Sequence, residues 1–130
     1  MRIVFKYFRL SSIILLMGCA VAQAGETSMT ISPQQAAVMN ESKTAVIVDV
    51  REDSEWREHH IAGAIHIPLS ELNTRLSELK TYQNSPVITQ CRSGKRSAQA
   101  SDILKSAGFS KVYNLEGGLI AWDKAGLATE

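Results

Sequence analysis

Apolar and polar residues follow two different periods along the chain, and each period predicts one kind of element. Short apolar runs rich in β-branched residues are typical of strands that are buried on both faces of a parallel sheet. Four segments have this pattern, namely residues 45–50, 63–68, 86–90 and 111–115. Between them, apolar residues recur at the spacing of helices. Because strands and helices alternate, the pattern predicts an α/β domain with a mainly parallel sheet.

Polar residues mark where the predicted helices begin. Ser32 can cap a first helix that has Pro33 at its first position, and Gln35 can complete a capping box. Asp53 is expected to cap a short helix that reaches Trp56. Two later helices are predicted from apolar residues on one helical face: Leu69, Leu72, Leu76 and Leu79 with Ser70 as the cap, and Ala100, Ile103, Leu104 and Ala107 before Gly108. Residues 116–118 (EGG) are expected to form a glycine turn that leads into a final helix containing Trp122 and lets this helix pack near the site.

The first 24 residues differ in composition from the rest of the chain. Three cations and no acid precede an apolar run at 10–21, and residues 22–24 (AQA) form a small-x-small cleavage site. The apolar run is too short for a stable membrane-spanning helix. We therefore expect residues 1–24 to be a cleaved signal peptide that directs the protein to the periplasm.

This expectation sets the remaining boundaries. Residues 25–30 are expected to form a short tether, and residues 31–127 the folded domain. An alternative stays open for the leader, because residues 16–19 (LMGC) also resemble a lipoprotein processing box. Processing there would leave the protein anchored by a lipid on Cys19.

Removal of the leader changes the charge and the cysteine content. The remaining chain has 11 basic and 13 acidic residues, a net charge of −2 with neutral histidines. Such a chain has no overall positive field, so we expect no nucleic-acid partner. Two cysteines are too few for a disulfide framework, and Cys91 is the one that remains after processing.

Cys91 follows a predicted strand and begins the segment 91–97 (CRSGKRS). The turn should direct backbone N–H groups and a helix N-terminus at the sulfur, and Gly94 permits its curvature. A free thiol with a pKa of roughly 8.5 needs about 2.7 kcal/mol to become mostly thiolate at neutral pH. A helix dipole supplies only about 0.3–1 kcal/mol, so N–H donors and cations must supply the rest. We predict that Cys91 is a nucleophile; the alternative is a buried structural cysteine.

Four motifs together carry a family resemblance. They are DVRE at 49–52, HIAGAIHIP at 60–68, CRSGKRS at 91–97 and LEGGLIAW at 115–122. Their order and spacing resemble those of a single-domain rhodanese, a sulfurtransferase. The resemblance implies a single rhodanese-like domain over residues 31–127, with a central, mainly parallel five-stranded sheet flanked by helices.

The resemblance also implies a two-step reaction. Cys91 would take the outer sulfur of thiosulfate or a related small anionic donor, hold it as a persulfide and pass it to cyanide or a thiol. The rest of the loop would attract the donor and cradle the persulfide through cations and N–H groups: Arg92, Ser93, Gly94, Lys95 and Arg96. No cofactor or metal is expected, and we expect a monomer.

Two other functions are compatible with the same loop. A persulfide carrier or binding module that serves a partner protein needs the same thiolate pocket and would turn over small donors poorly. Phosphatases that share this fold enclose five residues between cysteine and arginine, whereas Cys91 and Arg96 enclose four. The shorter loop resembles the sulfur-binding version, so phosphatase activity is the weaker alternative.

Other polar residues near the predicted site are open to two interpretations. Asp49 and Arg51 follow the first long strand and could anchor the loop or the acceptor, but a buried ion pair that holds the fold is the favoured interpretation. The histidines, His59, His60 and His66, have no metal-binding spacing, and His66 is expected to be a packing residue.

Overall fold

The centre of the structure is a sheet of five strands. The structure is a computed structural model, and it describes residues 29–130. The strands are β1 (Met29–Ile31), β2 (Val46–Asp49), β3 (Ile65–His66), β4 (Val87–Gln90) and β5 (Val112–Leu115). Their order across the sheet is β1-β5-β4-β2-β3, and each strand runs parallel to its neighbours. The predicted α/β fold with a five-stranded parallel sheet is confirmed.

Helices cover both faces of the sheet. They are α1 (Pro33–Glu41), α2 (Asp53–Glu58), α3 (Lys95–Ser106) and α4 (Gly118–Lys124), together with two 3₁₀ helices, Leu69–Thr74 and Leu76–Tyr82. Ser32 caps α1 as predicted, because its hydroxyl accepts from the N–H of Gln35 at 3.2 Å. The Ser32 hydroxyl donates to Gln35 Oε1 at 3.3 Å, so Gln35 bonds this hydroxyl and not the Ser32 N–H that the predicted capping box requires. No helix within residues 29–130 has the length and apolar content needed to cross a bilayer.

The predicted start of α2 is wrong by one residue. Asp53 is already helical, and Glu52, with extended backbone, is the capping residue. The Glu52 N–H donates to Glu55 Oε2 at 2.9 Å, so a carboxylate one turn into the helix satisfies a donor at its start. The helix also continues past Trp56 to Glu58.

The single helix predicted over the leucine-rich segment is also wrong. Two 3₁₀ helices replace it, because Arg75 interrupts the segment with φ −116° and ψ 13°. Within each half, leucines are three residues apart, which is the period of a 3₁₀ helix. Leu72 and Leu79 are fully buried on the sheet. Pro68, and not Ser70, precedes the first of the two helices.

Strand β1 begins inside the segment expected to be a tether. Met29 and Thr30 are exposed, whereas Ile31 is buried and pairs with Leu115 of β5. The tether prediction for 25–30 is therefore wrong for its last two residues. The predicted signal peptide and Cys19 lie outside the described residues.

The core has one layer on each face of the sheet. Val46 and Val48 of β2 point to the layer under α3 and the 3₁₀ helices, and Ile47 points to the layer under α1 and α4. Full burial of such a side chain contributes about 1.5–3 kcal/mol. The packing fixes the register between the central strands, in which Asp49 pairs with Gln90. The carboxyl ends of β2 and β4, followed by Arg51 and Cys91, therefore lie side by side.

Candidate active site

The loop from β4 to α3 folds back over the sulfur of Cys91. Gly94 has φ 109°, a left-handed conformation that glycine adopts without strain. This conformation turns the Gly94 N–H toward Cys91 Sγ, which accepts it at 3.1 Å. Ser97, in the first turn of α3, places its hydroxyl oxygen 3.3 Å from the same sulfur. The loop therefore surrounds the sulfur with hydrogen-bonding groups.

These contacts change the acidity of the thiol. Burial of the sulfur raises the pKa of Cys91, but hydrogen bonding with the Ser97 hydroxyl and with three backbone N–H groups lowers it by more. The N–H groups belong to Ser97, Gly94 and Ser93. The net result is a Cys91 pKa below its ordinary value, so the loop favours the thiolate.

Cys91 is buried, yet its surroundings differ from those of a cysteine that only fills space. The residue is 1% exposed and packs against the core layer under α3. Its sulfur, however, accepts a backbone N–H and contacts a hydroxyl. A structural thiol in an apolar core has a raised pKa. The lowered pKa agrees with the nucleophile prediction, which stays a prediction.

The three cations of the loop have different surroundings. Arg96 forms a two-pronged ion pair with Glu55 of α2, with N···O distances of 2.7 and 2.9 Å. This pair lowers the pKa of Glu55 to about 2 and raises that of Arg96. Arg92 and Lys95 are exposed, and within residues 29–130 neither forms an ion pair. Arg96 thus fastens α2 to the loop, whereas the other two cations face solvent.

Helix α4 holds the loop that follows β4 through hydrogen bonds from its first turn. The N–H groups of Leu119 and Ile120 donate to the carbonyls of Cys91 and Arg92 at 2.8 and 3.1 Å. A Cβ on Gly118 would lie 2.5 Å from the carbonyl carbon and oxygen of Arg92. The predicted glycine turn therefore brings α4 against the loop, and only glycine permits this close approach.

Asp49 and Arg51 form the ion pair that the sequence favoured. Arg51 Nη2 and Asp49 Oδ2 are 2.7 Å apart, and both side chains are buried. Two further guanidinium hydrogens reach the backbone carbonyls of Glu55 and His59 at 3.2 and 2.9 Å. This pair fixes the segment after β2 and, through α2, the position of Glu55 beside the loop.

Two of the three histidines, His60 and His66, pack against Trp56, whereas His59 Nε2 lies 2.8 Å from Asp123 Oδ2. The indole of Trp56 stacks on the rings of His60 and His66, with centroid distances of 3.5 and 4.7 Å. His66 Nε2 donates to the Arg51 carbonyl at 2.8 Å, which agrees with a packing role. Within residues 29–130, no group of three or more histidine, cysteine, aspartate or glutamate side chains could hold a metal ion.

Three contributors to the site were not identified from the sequence. Glu55 neutralises Arg96, Ser97 contacts the sulfur, and Asn114 of β5 holds both Ser97 and Gly94. Ser97 lies in the CRSGKRS segment, and its position one helical turn after the loop could have identified it. Glu55 and Asn114 are distant in sequence and carry no local signal.

A cleft with a volume of about 910 Å³ lies at the amino ends of the strands, away from the Cys91 loop. Ala45 and Val46, at the amino end of β2, form part of its lining. It does not include the Cys91 loop. Because ligands of parallel sheets bind beyond the carboxyl ends, the loop is the candidate active site.

Comparisons with known proteins agree with this fold and this loop. The rhodanese-like domain family matches residues 32–125. The thiosulfate sulfurtransferase GlpE of Actinobacillus pleuropneumoniae is 32% identical over 105 residues, which are 81% of this chain and 95% of GlpE. A rhodanese-related protein from Thermoplasma volcanium superposes with a TM-score of 0.71 at 28% identity, over 78% of this chain and 97% of that structure.

The chain belongs to the rhodanese-like domain family and consists, in its described part, of a single such domain. The resemblance to a single-domain rhodanese, which four motifs of the sequence carry, is confirmed at the level of the domain. An uncharacterized Synechocystis protein, slr1261, is 38% identical over 109 residues, or 84% of this chain. The chain spans only 60% of that relative's length.

Proposed function

We propose that this protein transfers sulfane sulfur from thiosulfate, or a related small anionic donor, through a persulfide on Cys91 to cyanide or a thiol. The observation that carries the proposal is the contact of Cys91 Sγ with the Gly94 N–H and the Ser97 hydroxyl. These groups favour a sulfur anion, which is the reactive form of cysteine.

The first step loads the sulfur. The Cys91 thiolate attacks the outer sulfur of thiosulfate, the sulfur–sulfur bond of the donor breaks, and sulfite leaves with the bonding electron pair. The persulfide carries one negative charge on its outer sulfur, next to the N–H groups of the loop. Exposed Arg92 and Lys95 attract the dianionic donor and stabilise the leaving sulfite.

The second step unloads it. Cyanide or a thiolate attacks the outer sulfur, the persulfide bond breaks, and the electron pair returns to Cys91 Sγ. The products are thiocyanate or a new persulfide, together with the original thiolate. Because the donor leaves before the acceptor reacts, the scheme is ping-pong covalent catalysis.

The test separates loading from release. The protein is incubated with thiosulfate, its mass is measured, and cyanide is then added while thiocyanate is followed. We expect a mass increase of one sulfur atom and release as thiocyanate, both abolished in Cys91→Ser and unaffected in Cys19→Ser. An unloaded protein, or an adduct that survives in Cys91→Ser, would refute the proposal.

The donor preference follows from the exposed cations of the loop. Arg92→Ala combined with Lys95→Ala should slow loading by thiosulfate, because both are exposed cations of the loop that begins at Cys91. The Lys105→Ala variant, which removes a cation at the far end of α3, is the control. A higher kcat/KM with mercaptopyruvate than with thiosulfate would exclude the proposed preference.

The carrier alternative needs the same thiolate pocket, so the lowered pKa of Cys91 is compatible with it as well. A persulfide carrier would load but release little sulfur to cyanide or small thiols, and the same experiment detects this difference. Hydrolysis of an aryl phosphate at a rate comparable to thiosulfate turnover would favour the phosphatase alternative.

We further propose that the protein is exported to the periplasm, on the basis of the cations, the apolar run and the cleavage site of its leader, and that it acts there as a monomer. The mass of the mature N-terminus tests the cleavage. A protein that begins at Gly25 supports soluble export, and one that begins at a lipidated Cys19 supports the membrane-anchored alternative.

A further inference from the structure

Four groups around the sulfur form a closed ring of hydrogen bonds. Cys91 Sγ lies 3.3 Å from Ser97 Oγ, and Ser97 Oγ donates to Asn114 Oδ1 at 2.6 Å. Asn114 Nδ2 donates to the Gly94 carbonyl at 3.0 Å, and the Gly94 N–H returns to Cys91 Sγ at 3.1 Å. Ser97 is fully buried and Asn114 is 8% exposed, so water has little access to the ring.

The direction of each bond in the ring is fixed by chemistry. The Gly94 carbonyl can only accept, so the Asn114 amide must present its nitrogen there and its oxygen to Ser97. A hydroxyl has one proton, and the Ser97 proton is therefore held by Asn114. In the resting thiol, the Cys91 S–H is then the donor and Ser97 Oγ the acceptor.

This arrangement cannot persist when Cys91 loses its proton. The thiolate is only an acceptor, and Ser97 can stabilise it only by turning its hydroxyl hydrogen away from Asn114. Asn114 Oδ1 and Ser97 Oγ would then face each other as two acceptors, although they are 2.6 Å apart in the thiol form. Asn114 therefore competes with the sulfur anion for the only proton that Ser97 has.

We propose that the Ser97 hydroxyl is a two-position switch and that Asn114, its resting partner, is a positioning residue that sets how readily the switch turns to Cys91. In the thiol, and in the persulfide whose charge lies on the outer sulfur, Ser97 donates to Asn114. In the thiolate, Ser97 donates to Sγ.

The consequence for sulfur transfer rests on the proposed function. When an acceptor thiolate attacks the outer sulfur, the persulfide bond breaks and its electron pair moves to Sγ. The Ser97 hydroxyl turns from Asn114 to Sγ and stabilises this pair as it arrives. Loading reverses the movement, because the charge leaves Sγ as the new sulfur–sulfur bond forms.

A double-mutant cycle tests the switch. The thiolate of Cys91 is titrated by its ultraviolet absorbance in the full chain, with the matching Cys91→Ser protein subtracted so that Cys19 does not contribute. The variants are Ser97→Ala, Asn114→Ala and both together. Ser101→Ala is the control, since this buried hydroxyl lies one turn further along α3 and bonds to Thr89 at 2.7 Å.

We expect Ser97→Ala to raise the Cys91 pKa, and to raise it more when residue 114 is alanine than when it is asparagine. Asn114→Ala also removes the bond to Gly94, but this loss is common to both arms of that comparison. A rise that is equal or smaller without Asn114, or no rise at all, would overturn the proposal. Ser101→Ala should leave the Cys91 pKa unchanged.

A second measurement needs no change at Asn114. The side-chain amide signals of Asn114 are followed by NMR as the pH passes through the Cys91 titration. They should shift with Cys91 ionisation, and shift less in Ser97→Ala; a shift of equal size in both proteins, or none, would overturn the proposal. Neither measurement involves sulfur transfer. Coupling without a thiosulfate adduct would refute the proposed function alone, and an adduct without coupling would refute the switch alone.

Discussion

The carboxyl ends of β2 and β4 are neighbours in the sheet but hold their charges in opposite ways. After β2, the Asp49 carboxylate and the Arg51 guanidinium neutralise each other, and two further Arg51 N–H groups donate to backbone carbonyls. After β4, the Cys91 sulfur has N–H and hydroxyl neighbours, while Arg92 and Lys95 stay exposed. The first group, Asp49 and Arg51, is called the β2 cluster, and its charges are paired without a ligand. The second group, Cys91 with Arg92 and Lys95, is called the β4 cluster, and it can accept a transient anion.

This contrast distinguishes residues that support the fold from residues that are suited to the reaction. A buried charge is tolerated only when it is paired, so the Asp49–Arg51 pair is permanent and supports the fold. The loop around Cys91 uses neutral donors, which stabilise an anion without requiring one. Glu55 connects the two clusters, because α2 is held by Arg51 at one end and holds Arg96 through its carboxylate.

Removal of the Arg51 side chain from its ion pair with Asp49 should lower the free energy of unfolding more than any other change considered below. Arg51→Ala leaves the Asp49 carboxylate buried without its partner, which costs about 3–5 kcal/mol in the free energy of unfolding. Arg75→Ala is the control, since Arg75 pairs with Glu78 on the surface, where ion pairs contribute little. Denaturant unfolding measures both. Equal losses would show that the β2 cluster has no special role in the scaffold.

The next effect concerns the close contact between α4 and the loop that contains the β4 cluster. Gly118→Ala places a methyl group 2.5 Å from the Arg92 carbonyl, whereas Gly126→Ala, with a similar positive φ, has nothing within 4 Å. Both variants have the backbone strain, but only the first displaces the loop. We expect Gly118→Ala to be less stable than Gly126→Ala by about 1–3 kcal/mol and to load less sulfur.

Similar unfolding free energies and similar loading for the two glycine variants would contradict the close contact between α4 and the loop. A loss of loading without a loss of stability would indicate instead that the contact acts on the position of Cys91 alone.

The smallest effect concerns the link between the clusters and depends on pH. The pKa of Glu55 is lowered from its ordinary 4.5 to about 2, mainly by the hydrogen bond from Arg96. The contribution of its charge to the free energy of unfolding is therefore fully present above pH 4.5, decreases below it and is lost as the pH falls through 2. Glu55→Gln should lower the unfolding free energy by about 1 kcal/mol near neutral pH, since the pair is partly exposed to solvent.

Unfolding curves of the two proteins at several pH values test this link. The difference between them should disappear as the pH approaches 2. A difference that stays constant with pH would mean that the Glu55 carboxylate contributes through packing and not through its charge.

Sequence patterns predicted the parts of the molecule that depend on neighbouring residues. The buried β-branched run of β2 and the run of β4 are visible as apolar segments, and Cys91 with its glycine and cations is contiguous. The same reasoning failed where tertiary packing decides. Strand β1 has three residues, two of them exposed, so its pairing with β5 leaves no periodic signal.

The rest of the site follows from contacts between distant elements. Asn114 reaches Ser97 only because β5 pairs with β4 beneath α3, and Glu55 reaches Arg96 across 41 residues of sequence. The leucine segment shows a further limit. Spacings of three and four residues fit an α-helix, and the break at Arg75 that divides it into 3₁₀ helices is set by packing on the sheet.

The fold favours the thiolate of Cys91 over the thiol, because the loop lowers the pKa of this residue. The most direct measurement is the thiolate titration of Cys91 in the folded protein and in the same protein unfolded in denaturant, each with its Cys91→Ser counterpart subtracted. We expect a lower Cys91 pKa in the folded protein, because the N–H groups and the Ser97 hydroxyl outweigh burial. A folded pKa equal to or above the unfolded one would show that the loop does not favour the thiolate.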